Sequence, residues 1–248
     1  MNRIEKCAEN FEKLFGTKPA DMTTGNDPEM MMILQRFIFG EVFETGNLDH
    51  KIRELLTVVC LTTMQTLPQL KGHTMAALNA GNTPIAIREA VYQCAPCIGF
   101  PRTLNALNTI NEVFAAQGIE LPLKAQSTVT EEERYEKGLA IQNPIYGDEI
   151  KDKYADLPDG MGEAVSRFLT ELCFGDFYTR GVLTEAEREL LLLGVLATLG
   201  ADQQIKAHVM GNLKVGNSKE TLYAAIIQCL PYIGFPAAFK AINIIKES

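Results

Sequence analysis

The chain carries one pattern twice. Phe39 to Glu112 can be laid on Phe174 to Glu247 at a constant offset of 135 positions with no gap. Arg53-Glu54-Leu55-Leu56 then falls on Arg188-Glu189-Leu190-Leu191, Lys71-x-His73 on Lys206-x-His208, and Ile98-Gly99-Phe100-Pro101 on Ile233-Gly234-Phe235-Pro236. A duplicated unit must satisfy its structural requirements twice, so residues kept in both copies answer a shared demand and residues present in one do not.

At 248 residues the chain is long enough for two helical units, each able to bury a core. The expected division is a first repeat over residues 1–117, a linker over 118–129 that contains Pro122, and a second repeat over 130–248. Net charge is −8, with a pI near 5.0, and neither half holds a run of Lys and Arg. The charge therefore offers no footprint for nucleic acid or an anionic membrane. Met1-Asn2-Arg3-Ile4-Glu5-Lys6 opens charged, without the apolar stretch of an export signal. Leu190 to Leu199, the most apolar run, is far short of the roughly 18 residues a bilayer requires. A cytoplasmic protein is expected. Six cysteines, most inside apolar stretches, are too sparse for a disulfide framework in a chain this long.

Local signals place helices in both copies. Thr184-x-x-Glu187 is a capping box that opens a helix to about Leu199, with Gly200 to close it, and Asp49 takes the equivalent cap in the first copy. Pro68 suits a first helical turn. His73 and His208 ride on segments that stop at Gly81 and Gly216. Thr83 and Ser218 start strongly apolar segments that run to the Gly-Phe-Pro breaks, which read as aromatic anchors, and last helices begin at Pro101 and Pro236. Upstream, Glu5 to Phe15 is closed by Gly16, and Thr130-x-x-Glu133 opens Tyr135 to Ile141. Alternating valine-rich runs with two-residue turns are absent, which predicts an all-α protein. A helix apolar on nearly every face must lie in a core or between subunits. The copies are expected to pack on each other as a pseudo-dimer, with a homo-oligomer beyond that.

The ordered set Arg-Glu-Leu-Leu, Lys-x-His, Leu-x-x-Gly-Asn and Gly-Phe-Pro resembles the carboxymuconolactone decarboxylase family, which also contains alkylhydroperoxidase D. Arg134-Tyr135-Glu136-Lys137-Gly138-Leu139, Gly147-Asp148 and Phe174-Gly175-Asp176-Phe177 resemble the N-terminal part of the decarboxylase itself. The resemblance implies an all-helical fold, oligomers of single-unit members, and here a fused pair. In alkylhydroperoxidase D-like relatives, Glu and His at the positions of Glu54/His73 and Glu189/His208 belong to a proton relay.

Glu54 with His73, and Glu189 with His208, form an acid–base pair kept at the same separation of 19 in both copies. A near-neutral imidazole can exchange a proton, and a carboxylate beside it can fix its tautomer. In a straight hairpin turning near Pro68 the members of each pair would lie roughly 13 Å out of level at about 1.5 Å per residue. Contact then needs an early helix end, a steep crossing or a partner from the other copy. The peroxidase branch places Cys-x-x-Cys seven and four residues before the His; Thr66 and Gln69, and Ala201 and Gln204, stand there instead. Cys94-Ala95-Pro96-Cys97 has dithiol spacing, but it ends an apolar helix, and Tyr232 replaces Cys97 in the second copy. Three scattered histidines offer no metal-site spacing, and His50 reads as a surface residue.

The resemblance, taken with these residues, implies an enzyme without metal or organic cofactor, decarboxylating or transferring protons on a small carboxylated lactone or related acid. His73, His208, Glu54 and Glu189 would handle protons, and Lys71, Lys206, Arg53 and Arg188 would hold a substrate carboxylate. The partner expected is a small-molecule substrate, with neither nucleic acid nor membrane. Two alternatives are a thiol-dependent peroxidase or disulfide reductase using Cys94 and Cys97, and a non-catalytic small-ligand-binding or assembly protein.

Overall fold

The computed structural model describes residues 2–147 and 149–248, so Asp148 of the upstream motif lies outside the described residues. Among the described residues there are helices and turns and no strand. The first repeat comprises α1 (Arg3–Phe15), α2 (Pro28–Gly40), α3 (His50–Met64), α4 (Leu67–Asn79), α5 (Pro84–Gln93), α6 (Ala95–Ile98) and α7 (Phe100–Ala116). The second comprises α8 (Arg134–Tyr146), α9 (Glu149–Lys153), α10 (Met161–Phe168), α11 (Glu185–Leu199), α12 (Asp202–Lys214) and α13 (Lys219–Glu247). α10 runs straight into a π-helical segment, Leu169–Tyr178.

The 135-residue offset relates α3 to α11 and α4 to α12 end for end. The expected caps form: Asp49 accepts from the Ile52 N–H at 2.8 Å, and Thr184 and Glu187 make a reciprocal capping box. α13 spans what the first repeat divides into α5, α6 and α7, and both versions bend at the same glycine, with φ/ψ of 82°/158° at Gly99 and 79°/160° at Gly234. Only glycine holds that positive φ without strain. The bend turns Phe100 and Phe235 outward, 54% and 51% exposed, so they do not anchor the helix break inside this chain.

One hydrophobic core runs through both repeats, joining Leu55, Leu56 and Val59 of α3 to Leu190, Leu191 and Leu193 of α11 and to Ile226 and Cys229 of α13. The packing is reciprocal about a pseudo-twofold axis. Arg53 Nη1 donates to Gln228 Oε1 at 3.0 Å, and the equivalent Arg188 Nη1 donates to the equivalent Gln93 Oε1 at 2.6 Å. Among the described residues α13 alone has the length and composition to cross a bilayer. It is bent at Gly234 and buries Leu222, Ala225, Ile226 and Cys229 completely against the rest of the chain, as an interior helix does.

Upstream, the repeats correspond at a different offset. Arg3 pairs with Glu41 and Arg134 with Asp176, while Asn79 donates to the Leu14 carbonyl at 2.7 Å and Lys214 to the Ile145 carbonyl at 2.6 Å. These contacts set α1 against α8 at an offset of 131, so between matching positions the second repeat has four more residues from α8 to α10 than the first has from α1 to α2. Phe15 thereby becomes the counterpart of Tyr146.

Candidate active site

Both acid–base pairs close. His73 Nδ1 lies 2.8 Å from Glu54 Oε2, and His208 Nδ1 lies 2.9 Å from Glu189 Oε2. The straight-hairpin offset is corrected because the chain turns at Gln65 and Thr66, before Pro68. Glu54 is ten residues before Met64 and His73 six beyond Leu67, leaving roughly 6 Å at about 1.5 Å per residue, which two long side chains can span.

The two sites share this pair and differ around it. Glu189 is fully buried and accepts from Tyr146 Oη at 2.7 Å through Oε2 and from Tyr178 Oη through Oε1. Tyr146 Oη also lies 2.8 Å from His208 Nδ1. A phenol has one proton, and Tyr146 gives it to the carboxylate; the contact with the ring is satisfied when His208 Nδ1 carries the hydrogen. Nε2 is then the free edge of the imidazole, with no hydrogen bond among the described residues. Burial first, and the Glu189 charge second, hold both phenols far above the usual tyrosine range, so they remain donors. In the first copy Phe15 and Phe43 stand at the two tyrosine positions, and Glu54 Oε1 is buried without a hydrogen-bond partner.

Gly211 makes the second arrangement possible. A Cβ there would sit 2.7 Å from Tyr146 Oη and 2.8 Å from Glu189 Oε2, closer than carbon and oxygen approach. The first copy has Ala76 at this position, opposite a phenylalanine that has no hydroxyl to displace. Gly211→Ala is expected to displace the Tyr146 hydroxyl from Glu189 while the helix itself gains propensity. Ultraviolet difference spectra of tyrosine together with the melting temperature will check this; an unchanged tyrosine spectrum counts against the packing described.

Above the second pair is a cavity of about 210 Å³. α8 supplies Gln142 and Tyr146, the π-helical segment supplies Cys173, Phe174 and Tyr178, α11 supplies Leu192 and Leu196, and α12 supplies Gln204, Ala207 and His208. Pro96 and Cys97 reach it from the other repeat. No lysine or arginine is among the lining residues, which corrects the four expected anion-binding residues. Arg53 and Arg188 are buried structural groups; Arg53 donates to the carbonyls of Val42, Thr45, Gly46 and Leu48 and to Gln228, and Arg188 to Gln93 and the Arg180 carbonyl. Lys71 pairs with Glu112 at 2.9 Å on the surface, and Lys206 lines an outer groove between α12 and the end of α13. The arginines keep their positions in the two copies because each holds the loop before its own helix, a signal sequence comparison cannot separate from ligand binding.

The thiols are free, and only Cys97 reaches the cavity from the candidate dithiol. Burial pushes Cys94 well above the usual thiol range and Cys97 up to about 11, with the Glu189 charge adding to the latter. His50, expected at the surface, is half-buried against the Phe43 ring, with Nδ1 buried and unpartnered and its pKa lowered mainly by that burial. Among the described residues no cluster of His, Cys, Asp and Glu is placed to hold a metal ion. Sequence reasoning missed Tyr146, Tyr178 and Gly211. Arg3-x-Glu5-Lys6 with Gly16, against Arg134-x-Glu136-Lys137 with Gly147, is the signal that aligns Tyr146 with Phe15 once a four-residue insertion is allowed.

Comparison with known proteins agrees with the duplicated helical fold. The profile of the carboxymuconolactone decarboxylase family matches residues 28–112 and again 163–247. A 4-carboxymuconolactone decarboxylase of Acinetobacter baylyi is 24% identical over 119 residues, covering 48% of this chain and 89% of that protein. A nitrosuccinic acid decarboxylase of Metarhizium robertsii is 33% identical over 85 residues, covering 33% of this chain and 59% of that protein. A crystallised chain from Burkholderia xenovorans, named a candidate gamma-carboxymuconolactone decarboxylase subunit, superposes with a TM-score of 0.57 at 20% identity, covering 98% of this chain and 96% of its own. With both copies matched and the fold shared end to end, the chain belongs to the carboxymuconolactone decarboxylase family.

Proposed function

We propose that the chain is a carboxymuconolactone decarboxylase-like enzyme that moves a proton, without a cofactor, during loss of carbon dioxide from a small carboxylated lactone or related acid. The observation that carries this reading is the Glu189 carboxylate holding His208 Nδ1 at the edge of a ligand-sized cavity, with Nε2 left over for a ligand. When the bond to the departing carboxylate breaks, its electron pair passes into the adjacent unsaturated carbonyl system, and carbon is then protonated. With Nδ1–H held toward Glu189 and Tyr146, Nε2 of the neutral His208 ring is a lone-pair edge, so it first takes a proton from solvent. The imidazolium then delivers that proton from Nε2 to carbon and returns to the neutral ring, while Glu189 with Tyr146 and Tyr178 keeps it oriented. The relatives named as decarboxylases of carboxylated small molecules support the same class of reaction.

The test is ultraviolet-monitored turnover of γ-carboxymuconolactone and of lactones bearing one carboxylate. His208→Ala is expected to lower kcat by about a hundredfold or more, the range of general acid–base catalysis. Equal turnover by the variant would remove His208 from the chemistry, and silence of the native chain toward every lactone would remove the decarboxylase reading. The same samples, assayed for hydroperoxide consumption with a dithiol, address the thiol alternative. The high pKa values of Cys94 and Cys97 weigh against it at neutral pH, and a Cys97-dependent peroxide signal would move the function there.

A further inference from the structure

The second-repeat cavity has a counterpart in the first repeat that is filled. At matching positions Gln142 becomes Phe11, Tyr146 becomes Phe15, Cys173 becomes Ile38 and Cys97 becomes Tyr232. Phe11 stacks on Phe15 at 4.6 Å between ring centroids, and both meet Phe39 edge-on at 5.3 and 5.5 Å. Phe15 and Tyr232 close on the His73 ring edge-on, at 5.9 and 5.5 Å. Tyr232 Oη and Glu54 Oε1 are both buried without a hydrogen bond; with Phe15 and Phe43 at the two tyrosine positions, no hydroxyl reaches that carboxylate oxygen.

Position 97/232 is exchanged between the repeats. Cys97 of the first repeat lines the cavity over His208, whereas Tyr232 of the second packs on His73. We propose that only the second repeat carries a working binding site, that the residue lent by the opposite repeat at this position decides it, and that the open site takes a small, largely apolar molecule bearing one carboxylate. The cavity wall is mostly apolar, with Leu192, Leu196, Phe174, Ala207 and the two thiols among its lining, and His208 is the one lining residue that can carry positive charge. A second carboxylate would be taken out of water with no counterion, which weakens binding. The inference takes its location from the proposed function and does not depend on the reaction.

Fluorine NMR titration of the full chain with 4-fluorobenzoate tests it. One equivalent per chain is expected, with 4-fluorophthalate bound at least about tenfold more weakly. Cys97→Tyr should abolish binding and Cys97→Leu should weaken it, with circular dichroism and melting confirming that each variant folds; His73→Asn should leave the titration unchanged. Two equivalents, equal affinity for the dicarboxylate, unaltered affinity in both folded Cys97 variants, or no binding by the native chain would each overturn the proposal. One equivalent of fluorobenzoate without turnover of any lactone would remove the decarboxylase reading alone, and lactone turnover with two equivalents bound would remove this inference alone.

Discussion

Glu189→Ala is expected to destabilise the protein by about 3 kcal/mol or more, well beyond the effect of Glu54→Ala at the matching position. Glu189 accepts from two buried phenols and a histidine; its loss strands Tyr178 Oη where the surrounding Phe174 and Leu192 offer no substitute, and leaves Tyr146 Oη the His208 ring alone. Each buried donor left unsatisfied costs about 1–3 kcal/mol. Glu54 accepts from His73 alone, and its second oxygen is already unpartnered, so its removal strands one ring nitrogen. Urea unfolding of the two variants beside the native chain gives the comparison. Equal losses would mean that the tyrosine cluster does not hold the second repeat together.

Arg53→Met is expected to cost about 4 kcal/mol or more while leaving activity per folded molecule unchanged. Arg53 is almost wholly buried, and its guanidinium satisfies the carbonyls of Val42, Thr45, Gly46 and Leu48 as the chain winds from α2 into α3. Methionine fills the stem and returns none of those donors. Were Arg53 a substrate ligand, the variant would instead raise KM with little change in the urea midpoint, so unfolding and steady-state kinetics on one preparation separate the two roles.

Arg53 and His73 show how far the duplication could be read. Both recur in the second copy, one as a structural group and one as half of an acid–base pair, and recurrence alone ranks them equally. Burial separates them: the arginines are sealed beneath the loops that precede α3 and α11, and His208 stands at a cavity wall. The helix boundaries were more legible because their causes are local. Asp49, Thr184, Gly81, Gly200 and Gly216 act on backbone groups within a few positions of themselves. Tyr146 was not legible from the gapless repeat, since the four-residue insertion before α10 breaks the register that makes Phe15 its counterpart.

By itself the sequence determined an all-α chain of two related units, the positions of the paired helices, and the two Glu–His couples, because identical local signals recur at one spacing. The tertiary structure decided that the couples meet, that one is roofed by aromatic rings while the other opens to a cavity, and that the cations repeated in both copies lie elsewhere. Those outcomes depend on residues brought from α1, α8 and the opposite repeat, and packing across the pseudo-twofold axis joins side chains that no short-range periodicity connects.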